Sequence, residues 1–157
     1  MSKPATPLSV VSYGLYVVGS KHGDTVNAMT ANWLTQVSFT PEIVALAVEK
    51  DSLTHRLIDE GRVFAVSVLE RSQKDVAQHF VRHQEGSGEK IGDYRFRPGQ
   101  TGAPVLEDCL AYLDCRVVAT SPQGDHLVVF GEVVDSGMVR KDAEPLTLRE
   151  TGWRYGG

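Results

Sequence analysis

Tyr13-Gly-Leu-Tyr-Val-Val-Gly19, then Lys21-His-Gly-Asp24, then Thr25 to Trp33 form the stretch that decides the class of this chain. Valine and aromatic residues favour extended backbone, and Gly23-Asp24 tolerates positive φ, so the three pieces predict strand, turn and strand. The same signal continues outward. Ile43-Val-Ala-Leu-Ala-Val48 and Val63-Phe-Ala-Val-Ser-Val68 are apolar on both faces, as in strands covered on both sides. Ala111–Ala119 and Leu127–Val134 flank Thr120-Ser-Pro-Gln-Gly-Asp125, a turn-rich link suited to a hairpin. Six strands in 157 residues predict a mainly β domain closed into a barrel.

Two short helices interrupt the strands. In the first, Leu53, Leu57 and Ile58 make an apolar stripe, Asp51 or Ser52 caps the start, and Gly61 ends it in a left-handed conformation. The second runs from about Gln73 to Arg82 with Val76, Ala77, Phe80 and Val81 inward. Between Gln84 and Ala103 lies a polar, Gly-rich stretch that reads as a functional loop or as concealed structure.

Composition narrows the function. Hydrophobic residues at 41% and charged residues at 23% exclude a disordered chain, and the length predicts one domain. The longest apolar run, Ile43–Val48, is too short to span a bilayer, and Met1-Ser2-Lys3-Pro4 has no basic-then-apolar leader. Sixteen Lys+Arg against twenty Asp+Glu leave a net charge of −4, which offers no nucleic-acid footprint. Cys109 and Cys115 fall in Cys109-Leu-Ala-Tyr-Leu-Asp-Cys115, read as a strand. Six strand residues span about 20 Å, whereas a disulfide needs Cα atoms within roughly 7 Å, so both read as core thiols. Reduced thiols and no leader point to the cytoplasm.

Several familiar signatures fail. Gly14-Leu-Tyr-Val-Val-Gly19-Ser20-Lys21 has Ser where a P-loop needs its lysine. Gly86-Ser-Gly88 has Ile91 where a dinucleotide fingerprint needs a third glycine. His79 and His83 are four apart, a metal-like spacing, but no third ligand accompanies them and a solvated helix face accounts for them.

Three constellations survive. Asn27-Ala-Met-Thr-Ala-Asn-Trp33 sets Thr30 and Asn32 on one strand face and Met29, Ala31 and Trp33 on the other. It is either a solvent face opposite a core face, or a polar ledge for a flat polar ring, with small Ala28 and Ala31 allowing close approach. Glu49-Lys-Asp-Ser-Leu-Thr-His55 ends an apolar strand and begins a helix; Lys50, Ser52 and Thr54 there are either an ordinary cap or an anion cradle. His126 follows Gly124-Asp125 where a turn enters a strand, and is either structural or a group that hydrogen-bonds a carboxamide or phosphate. A ledge for a ring, a cradle for a phosphate and a rim histidine together fit a flavin mononucleotide.

Over about residues 10–135 the sequence resembles the flavin reductase-like family, the FMN-binding split barrels. The resemblance rests on Asn27–Trp33, on Val37-Ser-Phe-Thr-Pro-Glu-Ile-Val-Ala-Leu-Ala-Val48 followed by Lys50–His55, on Phe64–Leu69 and Val76–Phe80, and on Pro104–Arg116 and Gly124–Val133, in that order. It implies a Greek-key-like split β-barrel with short peripheral helices. It further implies that Asn27, Ala28, Met29, Thr30, Ala31, Asn32 and Trp33 lie along the isoalloxazine. Lys50, Ser52 and Thr54 would hold the phosphate or ribityl chain, Phe80 would close the pocket, and His126 would stand beside the nicotinamide. Members are typically homodimers. In the tail Leu146–Gly157, Trp153 and Tyr155 either cover the flavin or a neighbouring subunit or simply pack.

The implied activity is hydride transfer from NADH or NADPH to bound FMN, with FAD as the alternative flavin, and onward to an acceptor such as free flavin for an oxygenase or a small redox protein. The flavin supplies the difficult chemistry, so no triad or carboxylate pair is needed. Two rival readings are a flavin-binding electron-transfer protein without enzyme activity and a plain interaction module.

Overall fold

The computed structural model describes residues 5–82, 84–87 and 89–156. After a 3-10 turn at Leu8–Val10 come strands β1 (Tyr16–His22), β2 (Thr25–Ala31), β3 (Leu34–Ser38) and β4 (Ile43–Glu49). Helix α1 (Leu53–Gly61), strand β5 (Val63–Val68) and helix α2 (Lys74–His79) follow. Short strands β6 (Gln84–Ser87), β7 (Lys90–Ile91), β8 (Tyr94–Pro98) and β9 (Pro104–Leu106) lead to the long pair β10 (Ala111–Ser121) and β11 (His126–Met138), and α3 (Leu148–Thr151) comes last. No described helix is long and apolar enough to cross a membrane.

The strands form one antiparallel sheet in the order β3-β4-β11-β10-β5-β1-β2-β6-β7-β8-β9. That order is open at β3 and β9, so the expected closed barrel of six strands is not what the hydrogen bonds build. Instead β9 folds back and packs its side chains on β1 and β5. Gly19 permits the approach, because a Cβ there would strike the Pro104 carbonyl. The curl separates two apolar cores. One gathers Leu69, Val76, Phe80, Phe96 and Leu106 around α2. The other gathers Val18, Leu46, Ile58, Phe64, Val66 and Val129 under α1.

The central strands lie where alternation and β-branching place them; β5 matches Val63–Val68, whereas β1 begins at Tyr16 rather than Tyr13. The polar stretch from 84 to 103 conceals β6, β7 and β8, strands too short and too rich in glycine and charge to show a period. The second helix stops at His79 instead of Arg82, because β2 captures its end: the Thr30 N–H donates to the Phe80 carbonyl at 2.8 Å. Val81 is thereby turned outward and exposed, not inward. His83 lies outside the described residues, while His79 packs edge-on against Phe80 and Tyr94.

Cys109 precedes β10 in a bend rather than lying in the strand, and it belongs to the first core, whereas Cys115 belongs to the second. Both are fully buried and free. Burial pushes both thiols up, Cys115 to about 12, so they act as packing groups.

Ser52 caps α1 as expected, accepting from the His55 N–H at 3.0 Å. The left-handed residue at the other end is Arg62 (φ 60°), not Gly61. Gly61 is needed for a different reason: a Cβ on it would collide with the Lys21 carbonyl of β1. Arg62 therefore carries the steric cost that glycine avoids in that conformation. Arg62→Gly is expected to raise stability by about 0.5–1 kcal/mol in urea unfolding, the relief outweighing the added chain entropy.

Candidate functional site

β4, β11 and the β2–β3 junction finish at the same end of the sheet, next to the start of α1. Glu49 and His126 are register partners across β4 and β11, and the Lys50 N–H donates to the Asp125 carbonyl at 3.1 Å. The Ala47 N–H donates to the Trp33 carbonyl at 3.0 Å, which fixes the indole beside them. Ring centroids of Trp33 and His126 are 4.6 Å apart. The imidazole is held on both edges: Nδ1 lies 2.7 Å from Asp125 Oδ1, and Nε2 lies 2.9 Å from the Tyr155 hydroxyl. Tyr155 in turn donates to Glu49 Oε1 at 2.8 Å and sets its ring edge on Trp33 at 5.0 Å.

The charges agree with this geometry. The His126 hydrogen bond and its positive charge hold the Asp125 carboxyl below the usual carboxylate range. Partial burial, the bond to Glu49 and the nearby carboxylates push the Tyr155 phenol up, so it stays protonated and donates.

The Asn27–Trp33 segment has neither of its faces open to solvent as a whole. Thr30 Oγ1 donates to the Ala77 carbonyl at 2.7 Å, tying β2 to α2. Asn27 is fully buried between Ser20, which donates to its carbonyl oxygen, and Thr54, which accepts from its Nδ2 at 3.1 Å. Thr54 then points its hydroxyl at the Met29 sulfur, 3.7 Å away. Asn27, Thr30 and Thr54 thus lock β2 between two helices, while Ala28 and Ala31 are small because both sides are covered. Asn32 differs: it is 7% exposed, yet its Nδ2 has no protein partner, and the Trp33 indole nitrogen shares that condition. A buried carboxamide donor without a partner is costly, so such groups mark where a ligand would complete the bonding.

The helix-start residues divide similarly. Ser52 is an N-cap that also donates to the Glu49 carbonyl at 2.7 Å, and Lys50 reaches the Pro122 carbonyl. The cap engages His55, and the start of α1 carries the partial positive charge of a helix N-terminus. Phe80 does not close a pocket. It is fully buried among His79, Tyr94 and Phe96 and supports β2 from beneath. Glu49 and Asp125 had no role in the sequence reading; the only signal was their place beside His126 once the strands are paired.

A sheet end lined by ring edges and amide groups suits the binding of an aromatic cofactor. The flavin reductase like domain matches residues 8–157, and the chain belongs to that family. The chain is 33% identical over 138 residues to diflavin flavoprotein A 1 of Synechocystis sp. (strain PCC 6803), covering 87% of itself and 24% of that protein. It spans about a quarter of the length of the curated relatives it matches. The NADH:FAD oxidoreductase SgcE6 of Streptomyces globisporus superposes with a TM-score of 0.81 at 30% identity, covering 92% of this chain and 86% of that one. The styrene monooxygenase flavin reductase of Pseudomonas putida S12 gives 0.76 at 26% identity, covering 95% and 93%. The family and these neighbours are of the flavin reductase kind.

Proposed function

We propose that the chain is an NAD(P)H-dependent flavin oxidoreductase that binds FMN, or FAD in the same place, at the Trp33–His126 end of the sheet. The observation that carries this reading is the buried Asn32 Nδ2 without a protein partner, next to the half-buried Trp33 indole whose nitrogen also lacks one. Asn32 and the backbone of 28–33 would bond the flavin ring, and Met29 and Trp33 would contact its edge. The α1 start, with Lys50 and Ser52, would face the phosphate. Asn27, Thr30, Thr54 and Phe80 keep those groups in place from behind. Held there, a flavin would supply hydride acceptance from the nicotinamide and onward electron transfer. His126 would orient the nicotinamide for that transfer. The neighbour SgcE6 has been solved with NAD and FAD fragments, which supports the pairing of ligands. The sheet curled between two cores accords with a split barrel, and the buried thiols accord with a cytoplasmic setting.

Anaerobic addition of NADH or NADPH to flavin-loaded protein tests the reading. Bleaching of the flavin band is expected; a band that persists with both reductants would reduce the protein to a flavin carrier.

A homodimer completes the proposal. β3 is an edge strand with unpaired backbone groups, and Val37 and Phe39 at its end are exposed, Phe39 by 87%. A cleft of about 390 Å³ beside it is lined by Tyr16, Leu34, Ile43, Val44, Leu113 and Val133. Light scattering should give twice the chain mass, and Phe39→Glu should return it to one.

A further inference from the structure

The segment after α3 crosses from one core to the other. A capping box between Thr147 and Glu150 starts α3, and Gly152 (φ 76°) ends it with a turn that residues with a Cβ resist. Trp153 then packs on the first core, with Lys74 Nζ 5.6 Å from its ring centroid. Two residues on, Tyr155 lies over Trp33 and His126, beside the second core. A Cβ on Gly156 would rest 3.8 Å from the Trp33 ring, so the backbone itself lies against the indole.

Proton counting fixes what Tyr155 does there. Its one hydroxyl proton goes to Glu49 Oε1. Its oxygen therefore accepts from His126, which requires a proton on Nε2. The opposite nitrogen, Nδ1, lies 2.7 Å from Asp125 Oδ1, a carboxylate oxygen that only accepts, so that contact needs a proton on Nδ1 as well and both ring nitrogens donate. The imidazole is thus presented as a donor along Nε2–H, and a phenol oxygen, on an aromatic ring set edge-on against an indole, accepts from it. A nicotinamide offers the same pair of features: a planar ring and a carboxamide oxygen.

We propose that Tyr155 is a place-holder in the subsite for the reductant's carboxamide, so that the nicotinamide must lift residues 152–156 from His126 to reach the flavin. This rests on the reading that His126 meets the nicotinamide. The segment sets the reductant's apparent affinity: the fraction of molecules with Tyr155 displaced is the fraction able to bind. Because Tyr155 donates to Glu49 and accepts from His126, the same contact keeps the proton on Nε2 until the carboxamide oxygen replaces the phenol.

Tyr155→Phe keeps the ring on Trp33 and removes both hydrogen bonds. The KM for NADH is expected to fall about fivefold, the scale of one to two modest hydrogen bonds, with the change in KM rather than in kcat. A KM that rises or stays the same overturns the proposal. In flavin-free protein, amide exchange across 152–156 should speed up in Tyr155→Phe while β1 and β5 keep their protection; equal exchange in that segment also overturns it. The two ideas fail differently. If neither FMN nor FAD is retained, or retained flavin resists both reductants, the functional reading falls and the place-holder with it. If flavin is reduced but KM does not drop, the place-holder alone falls.

Discussion

In His126→Ala, the kcat/KM for NADH is expected to drop about a hundredfold while flavin affinity holds, because misplacing a reacting ring by about 1 Å costs on that order. The imidazole side chain is only 15% exposed, and the Asp125 contact still anchors it when Tyr155 moves away. A group held that firmly can fix a carboxamide in one orientation, which is what hydride transfer between stacked rings requires. The backbone at 126 stays in the β4–β11 ladder opposite Glu49, so the fold survives the change. His126→Gln, which keeps a donor at similar reach, should recover part of the rate. Stopped-flow reduction of flavin-loaded protein reads the loss; wild-type rates in His126→Ala would remove the histidine from the mechanism.

Phe80→Ala should destabilise the protein by about 3–5 kcal/mol, the range for emptying a fully buried aromatic site. The ring is wholly covered and meets Tyr94 at 5.4 Å and Phe96 at 5.8 Å between centroids. Its carbonyl anchors the end of β2 through the Thr30 N–H, so the cavity lies directly behind the strand proposed to face the flavin. Calorimetry should show the melting temperature lowered by about 10 °C. Flavin should bind more weakly as the strand loosens, although Phe80 itself is fully buried behind it. A shift under 2 °C would mean that the neighbouring rings refill the space.

The contrast between Phe80 and His126 shows how much of the site could be read from residues alone. At His126 the residues alone left a structural and a ligand-binding reading open, and its place beside the nicotinamide came from the family resemblance. Helical spacing put Phe80 inward, where it lies, and only the family resemblance gave it a place at a pocket. Asn27 and Thr54 looked like ligand groups because buried polar residues with protein partners and those awaiting a ligand have the same letters; only their mutual hydrogen bond tells them apart from Asn32. The central strands were legible from β-branched runs. β6 to β8 were not, since their pairing is set by neighbours across the sheet and not by local pattern. The open order of the sheet depends on β9 packing without pairing to β1, a contact between residues about 85 positions apart that no local signal encodes.

The central claim is that the Asn32–Trp33 end of β2 and the start of α1 together hold a flavin. Incubating the purified chain with excess FMN, separately with FAD, and desalting each sample tests it directly. The account predicts that a flavin stays with the protein and that Asn32→Leu, which caps the same space with an apolar side chain, releases it. Protein that leaves the column colourless after both incubations would contradict the account.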